Sequence, residues 1–221
     1  GVRDESRRTL AVVETDGGTA TLLNEPGPRI GDEEWHGFVE RFRELAGTAD
    51  AVVLSGSLPP GAPADAYAVL AHEAGDVPVV LDADGETLRQ GVAGRPGLVK
   101  PNHEELIAAT GEDDPLRGAE ELRAAGADAV VVSLGAAGLV CCTPEGRWRA
   151  RLPERVSGNP VGAGDAAVAA LVRGLVAGTP WPELLADAAA LSSAAVRRPT
   201  AGDVDPETYR RLLADVHVQN V

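Results

Sequence analysis

Short apolar segments that alternate with helical patterns are the feature of this 221-residue chain that most restricts its fold. The clearest is Ala129–Ser133, in which three valines follow one another. Ala51–Leu54, Val77–Leu81 and Leu98–Val99 are similar, and helical patterns lie between them. Strands that are apolar on both faces are typical of parallel sheets covered by helices on both sides. The pattern therefore predicts an α/β fold with a mostly parallel central sheet.

The remaining elements surround that sheet. Leu139–Thr143 and Arg147–Leu152 are predicted to be antiparallel strands at one edge. Near the start, Arg7–Glu14 and Thr19–Glu25 are predicted to form a hairpin of a small separate sheet, with a turn at Asp16-Gly17-Gly18. Apolar periodicity predicts eight helices: Gly31–Leu45, Ala64–His72, Glu86–Gln90, His103–Thr110, Ala119–Ala125, Asp165–Ala177, Glu183–Val196 and Pro206–Val216.

Charge and composition exclude several classes of partner. The net charge of −14 argues against nucleic acid and against an anionic membrane surface, because phosphate groups select basic faces. The longest apolar run is interrupted by Arg173, so no membrane-spanning segment is expected. Cys141 and Cys142 are neighbours in a predicted strand and point to opposite faces, which favours buried thiols and a reducing, cytoplasmic location.

The first residue is Gly1, and the chain contains no methionine. A natural gene product begins with methionine. We therefore expect a further segment ahead of Gly1.

The segment from Ser157 to Leu171 carries the strongest chemical signal. A loop tightens into Gly162-Ala163-Gly164-Asp165 and then continues as an apolar helical pattern. The first amides of a helix are unpaired and lie at the positive end of its dipole, so this arrangement suits a phosphate group. Asp165 lies in the first turn, where a carboxylate is able to take a proton from an attacking hydroxyl. The alternative is that Asp165 only complements the helix dipole.

A second motif, from Lys100 to Glu105, follows the Leu98–Val99 strand. Asn102 and Glu105 have the spacing of a helix capping box, which accounts for both residues without any function. That interpretation does not explain why the chain's only lysine is Lys100. A compact ammonium group suits a triphosphate, and Glu105 is suited to holding Mg²⁺ through water.

Two further motifs follow predicted strands. Ser55-Gly56-Ser57-Leu58-Pro59-Pro60-Gly61 combines small residues with hydroxyl groups, which suits close approach to a sugar, although it also fits a plain loop. Ser133-Leu134-Gly135-Ala136-Ala137-Gly138 follows the most apolar strand; its spacing is not that of a dinucleotide-binding loop, and a β-turn accounts for it. In parallel sheets, ligands bind beyond the carboxyl ends of the strands, where all four motifs fall.

Together these motifs resemble the ribokinase-like PfkB carbohydrate kinases, over nearly the whole chain. Asn24-Glu25-Pro26-Gly27-Pro28, the Ser55–Gly61 segment, Lys100-Pro101-Asn102 and Asn159–Asp165 are similar to the tagatose-6-phosphate kinase and 1-phosphofructokinase branch. The resemblance implies a ribokinase-like core over residues 31–221, and part of a β lid with its connection over residues 1–30.

The resemblance also implies roles for the matching residues. Asp165 would be the catalytic base, with the amides of Gly162, Ala163 and Gly164 as the anion hole. Glu5-Ser6-Arg7 resembles a family motif whose arginine binds the sugar's phosphate; Arg8 is the alternative, and either arginine is equally compatible with a solvated strand. The implied ligands are ATP, Mg²⁺ and a ketohexose monophosphate. The matching binding residues are Lys100, Asn102, Ser133, Gly135 and Gly138 for ATP, Glu105 for Mg²⁺, and Arg7, Gly56 and Ser57 for the sugar phosphate.

One departure from the family pattern leaves alternatives open. The family begins with a segment that carries a sugar-binding aspartate and a Gly-Gly-x-x-x-Asn motif, and neither is found in this chain. A phosphosugar kinase that yields a bisphosphate is the leading interpretation. The alternatives are a truncated nucleotide-binding protein without turnover and a kinase of an unphosphorylated sugar or nucleoside. The hairpin is compatible with a lid, a homodimer contact, or both.

Overall fold

The computed structural model describes residues 5–13 and 20–221. Its strands are β1 (Thr9–Val13), β2 (Ala20–Asn24), β3 (Val52–Ser55), β4 (Val79–Asp82), β5 (Leu98–Val99), β6 (Ala129–Ser133), β7 (Leu139–Cys142), β8 (Arg147–Arg151) and β9 (His217–Asn220). Its helices are α1 (Asp32–Ala46), α2 (Ala66–Glu73), α3 (Gly85–Val92), α4 (His103–Thr110), α5 (Pro115–Ala125), α6 (Ala163–Ala177), α7 (Trp181–Val196) and α8 (Pro206–Asp215).

Strands β3 to β9 form one seven-stranded sheet in the order of the sequence. The pairs from β3 to β6 are parallel, and those from β6 to β9 are antiparallel. The α/β class and the antiparallel edge are thus confirmed, and β9 is an addition that the sequence did not predict. The carboxyl ends of the four parallel strands lie at one edge of the sheet, which is the edge at which ligands bind in such folds.

Both faces of the sheet are covered, as uniformly apolar strands require. In β6, Val130 and Val132 pack in the core that includes residues of α2 to α5, whereas Ala129 and Val131 pack against α6 and α7. Cys141 and Cys142 divide between the same two cores, and both are free, buried thiols. Their predicted placement on opposite faces is confirmed.

Helix α6 is held close to α7 by small residues. A Cβ placed on Gly174 would lie 2.1 Å from a methyl carbon of Leu184, so the glycine permits the contact. Ala167, Ala170 and Leu171 are buried on the same helix. This packing fixes the axis of α6 and therefore the place to which its first turn points.

The hairpin is a separate two-stranded sheet. Strands β1 and β2 pair antiparallel, with Leu10 opposite Leu23. The predicted turn at Asp16-Gly17-Gly18 lies outside the described residues. The connection from the hairpin reaches the core where the Ile30 amide donates to the Pro60 carbonyl oxygen at 2.7 Å. In the described part of the chain, no helix is both long and apolar enough to cross a membrane.

Candidate active site

A cleft of about 1330 Å³ opens at the carboxyl ends of the parallel strands. It gathers residues from three of the four sequence motifs. Two of these motifs follow the neighbouring strands β5 and β6, and the third lies at the start of α6. The predicted site residues that line it are Lys100, Asn102, Glu105, Ser133, Gly135, Gly138, Ala163 and Gly164. Sequence positions that are up to 64 residues apart therefore share one cavity.

Lys100 lies at the floor of this cleft and is only 4% exposed. Its Nζ is 3.1 Å from Oδ1 of Asp82, which ends β4. Burial raises the pKa of Asp82, and the attraction of Lys100 opposes this shift without cancelling it. The negative charge of Asp165 raises the pKa of Asp82 further, so these two carboxylates are close enough to interact.

Asp82 was absent from the predicted site. A signal for it exists in the sequence, since an aspartate at the carboxyl end of a buried strand, as in Val79-Val80-Leu81-Asp82, faces the ligand edge of the sheet. A buried lysine also needs a carboxylate partner, because an unpaired buried charge is costly.

The first turn of α6 faces Lys100. A Cβ on Gly164 would lie 3.8 Å from the lysine Nζ. The amides of Gly164 and Asp165 donate to no backbone carbonyl among the residues that the structure describes, as expected for a helix start. The Ala163 amide differs, because it donates to the Pro160 carbonyl oxygen at 3.2 Å. Of the three amides predicted to form the anion hole, Ala163 is thus already engaged in a turn.

Gly162 permits the tight entry into α6. Its φ is +85°, and an added Cβ would lie 2.8 Å from the backbone nitrogen of Gly202. A side chain is therefore excluded both by the backbone conformation and by the neighbouring loop. Asp165 follows in the first turn and is exposed to solvent.

Asn159 holds the loop in front of α6. The side chain is 9% exposed. Its Nδ2 donates to the Pro199 carbonyl oxygen at 3.0 Å, and its Oδ1 accepts from the Val161 amide at 3.1 Å. The glycine turn is thereby tied to the segment between α7 and α8.

The Lys100–Glu105 motif begins α4 with the predicted capping box. Asn102 Oδ1 accepts from the Glu105 amide at 2.9 Å, and Glu105 Oε2 accepts from the Asn102 amide at 2.7 Å. The Ser133 amide donates to the Pro101 carbonyl oxygen at 3.0 Å, which sets this motif beside the one that begins at Ser133. Burial raises the pKa of Glu105, even though its bond to the Asn102 amide and the charge of Lys100 lower it.

Two of the predicted sugar-phosphate residues are in contact. Nη1 of Arg7 donates to Oγ of Ser57 at 2.9 Å. The Gly56 amide donates to the Asp82 carbonyl oxygen at 2.9 Å, so this pair is connected to the cleft through Asp82. Arg8 instead lies 3.8 Å from the Glu25 carboxylate and is 82% exposed. The geometry therefore favours Arg7 over Arg8 as the residue that faces the site.

The carboxylates of the cleft fit Mg²⁺ in the manner this ion usually adopts. Among the described residues, no group of three or more His, Cys, Asp or Glu side chains is arranged to hold a metal. Mg²⁺ commonly binds one or two carboxylates and completes its shell with water and substrate phosphates. Glu105 and Asp82, both on the cleft wall, supply that number.

A second cleft, of about 620 Å³, lies at the amino ends of the strands. It is formed where α3 and α5 end, around Ala93 and Gly126. Helix carboxyl ends carry the negative end of the dipole, which disfavours phosphate. The larger cleft, which receives the start of α6, is the better anion site.

Known carbohydrate kinases are similar to this chain. Residues 2–208 match the model of the pfkB family carbohydrate kinases. The 1-phosphofructokinase of Bacillus subtilis (strain 168) is 36% identical over 173 residues, which are 75% of this chain and 57% of that protein. This chain thus matches just over half the length of that relative.

Solved structures share the fold. One of phosphofructokinase-2 from Escherichia coli, in complex with potassium, has a TM-score of 0.85 and 29% identity, and covers 95% of this chain and 70% of its own. A Thermotoga maritima protein, described as a possible 1-phosphofructokinase, has a TM-score of 0.89 and 28% identity, and covers 100% of this chain and 72% of its own. The ribokinase-like fold predicted from the motifs is confirmed. The chain belongs to the pfkB family of carbohydrate kinases.

Proposed function

We propose that this protein transfers the γ-phosphoryl group of ATP to a ketohexose monophosphate and so produces a bisphosphate. The observation that carries the proposal is the approach of Lys100 to the first turn of α6, where Gly164 lines the cleft. The buried Lys100 faces the first turn of α6, and Asp165 stands exposed in that same turn. A cation, a set of helix amides and a carboxylate are the groups that phosphoryl transfer to an alcohol requires.

Asp165 is the proposed base. It accepts the proton of the sugar hydroxyl as the hydroxyl oxygen forms a bond to the γ-phosphorus, and the bond to the β–γ bridging oxygen breaks to release ADP. The Gly162 and Gly164 amides donate to the oxygens of the transferring group. Lys100 balances their negative charge, and Asp82 holds the lysine in place.

ATP is proposed to lie along the cleft, with its phosphates toward Lys100 and Asn102. Ser133, Gly135 and Gly138 line the nucleotide side. Mg²⁺ would be held by the ATP phosphates with Glu105 and Asp82, and it would neutralise part of the triphosphate charge.

The acceptor is proposed to be a sugar that already carries a phosphate. Arg7 supplies a guanidinium, which suits phosphate through paired hydrogen bonds, and its contact with Ser57 places it beside the turn after β3. Between tagatose 6-phosphate and fructose 1-phosphate, the name of the Bacillus subtilis relative favours fructose 1-phosphate. We assign residues 1–30 to part of a β lid and its connection to the core.

The direct test measures ADP release by the purified chain with ATP, Mg²⁺ and a panel of tagatose 6-phosphate, fructose 1-phosphate, fructose 6-phosphate and unphosphorylated fructose. Turnover with one of the first two is expected. Turnover only with the free sugar would contradict the proposed acceptor, and ATP binding without any turnover would leave a nucleotide-binding protein instead of a kinase.

Arg7 and Arg8 offer a matched pair for the acceptor phosphate. We expect Arg7→Ala to raise the KM for the sugar phosphate about tenfold or more, because a charge-assisted bond contributes on the order of 1.5–3 kcal/mol. Arg8→Ala removes the same charge from the neighbouring position and is expected to leave that KM unchanged. Equal effects of the two substitutions would contradict the assignment.

The hairpin is also proposed to form a homodimer contact. Leu10, Val12 and Leu23 are 59%, 50% and 56% exposed, and strand register puts them on one face. Sedimentation analysis is expected to show a dimer that Leu23→Glu converts to monomers. A wild-type monomer at micromolar concentration would contradict this contact.

A further inference from the structure

Tyr67 has a buried hydroxyl to which the proposed function assigns no role. The residue lies in the first turn of α2 and is 7% exposed. Its hydroxyl is 2.8 Å from the Ser55 carbonyl oxygen and 3.0 Å from the Gly56 carbonyl oxygen. One hydroxyl proton is thus shared between two consecutive carbonyl groups, at the point where the chain leaves β3.

Few other interactions hold the turn that contains these two carbonyl groups. Ser55, Gly56 and Ser57 are exposed, and Gly56 has a φ of +89°. The Gly56 amide donates to the Asp82 carbonyl oxygen. This hydrogen bond holds the peptide group between Ser55 and Gly56 from the side opposite the Ser55 carbonyl. Because little apolar packing fixes the turn, its position depends on a small number of hydrogen bonds.

The turn also presents a predicted ligand of the sugar phosphate. Ser57 follows Gly56 directly, and its Oγ accepts from Arg7 at 2.9 Å. A shift of the Gly56 peptide would therefore move Ser57 relative to Arg7.

We propose that Tyr67 is a positioning residue for the sugar-phosphate side of the site, and that its hydroxyl fixes the Ser55–Ser57 turn so that Ser57 meets Arg7. This inference rests on the proposed phosphosugar kinase function for its effect on catalysis. Its structural part, the restraint of the turn, does not depend on that function.

Packing alone does not account for the hydroxyl group of Tyr67. A phenylalanine ring would fill the same core position without burying a polar group. Burial, together with the charges of Asp82 and Asp84, raises the pKa of Tyr67. The phenol therefore keeps its proton and remains a donor to the two carbonyls.

The test compares Tyr67→Phe with Tyr209→Phe, since these are the only two tyrosines in the chain. Tyr209 lies on α8, where its hydroxyl donates to Asp187 at 2.5 Å. Loss of one hydrogen bond predicts a rise of about threefold to tenfold in the KM for fructose 1-phosphate in Tyr67→Phe, with the KM for ATP unchanged. Tyr209→Phe should leave both KM values unchanged.

Hydrogen–deuterium exchange of the peptide that covers residues 55–61 supplies a second measurement that needs no turnover. Faster exchange in Tyr67→Phe than in Tyr209→Phe supports the inference. If the wild-type chain phosphorylates no sugar phosphate, the proposed function fails and this exchange alone decides the positioning role. Unchanged exchange, or a KM for the sugar phosphate that does not change in an active enzyme, would overturn it.

Discussion

Replacing Gly164 with alanine separates the chemistry of the cleft from the stability of the fold. The added methyl group would lie 3.8 Å from the Nζ of Lys100, which is an ordinary contact distance. It would therefore fit without a clash. It would, however, occupy the space between the lysine and the first turn of α6, where the proposed function places the transferring phosphoryl group.

The magnitudes follow from this geometry. Alanine is favoured over glycine within a helix by up to about 1 kcal/mol, so the free energy of unfolding should stay the same or rise slightly. The methyl group would keep a phosphoryl oxygen away from the Gly164 amide. Removal of one donor of this kind typically lowers kcat by about 10²–10³. We expect a stable protein with a severe loss of turnover.

Gly162→Ala is the matched control, because it makes the same chemical change two residues earlier. At that position φ is +85° and the new Cβ would lie 2.8 Å from the Gly202 backbone nitrogen. We expect it to lower the free energy of unfolding by more than about 1 kcal/mol. Urea denaturation and ADP release, measured on both variants, provide the comparison. Turnover of Gly164→Ala within about threefold of the wild type would refute the proposed placement of the phosphoryl group.

Two further predictions concern the walls of the cleft. Burial raises the folded-state pKa of Glu105, so its ionisation opposes folding and wild-type stability falls as the pH rises through that pKa. Glu105→Gln removes this cost, and its free energy of unfolding relative to the wild type should rise as the pH increases above about 4.5, the ordinary pKa of a glutamate; a difference that does not depend on pH would contradict the shift. Asn159→Ala removes the side-chain partner of the Val161 amide and of the Pro199 carbonyl. Denaturation should show a free energy of unfolding that is lower by about 1–3 kcal/mol, together with weaker ATP binding. Unchanged stability would show that these two hydrogen bonds contribute nothing.

Much of the architecture was predictable because it depends on local patterns. The valine-rich Ala129–Ser133 segment became a strand with the predicted bounds, and its alternating residues pack on the two faces as expected. Asn102 and Glu105 formed the capping box that their spacing indicates. Motifs that follow parallel strands came together because those strand ends share one edge of the sheet.

The features that were not predicted from the sequence depend mainly on contacts between distant residues. Asn159 bonds to a carbonyl 40 residues away, and Lys100 pairs with Asp82 on a neighbouring strand. Local sequence does not mark Pro199 as the partner of Asn159. The aspartate that ends β4 signals the ligand edge of the sheet but not the pairing with Lys100. Strand β9 was not predicted, because only one of its four residues is partly buried and the other three are exposed. The segment therefore has no apolar pattern. The use of the Ala163 amide in a turn likewise depends on backbone geometry that residue types do not specify.

The central claim is that the carboxylate of Asp165 accepts the proton of the acceptor hydroxyl. The most direct measurement is the kcat of Asp165→Asn, with ATP affinity determined in parallel by calorimetry. The amide keeps the size of the side chain and removes its basicity, so kcat should fall by about 10²–10⁴ while the Kd for ATP changes little. A kcat near that of the wild type would contradict the claim.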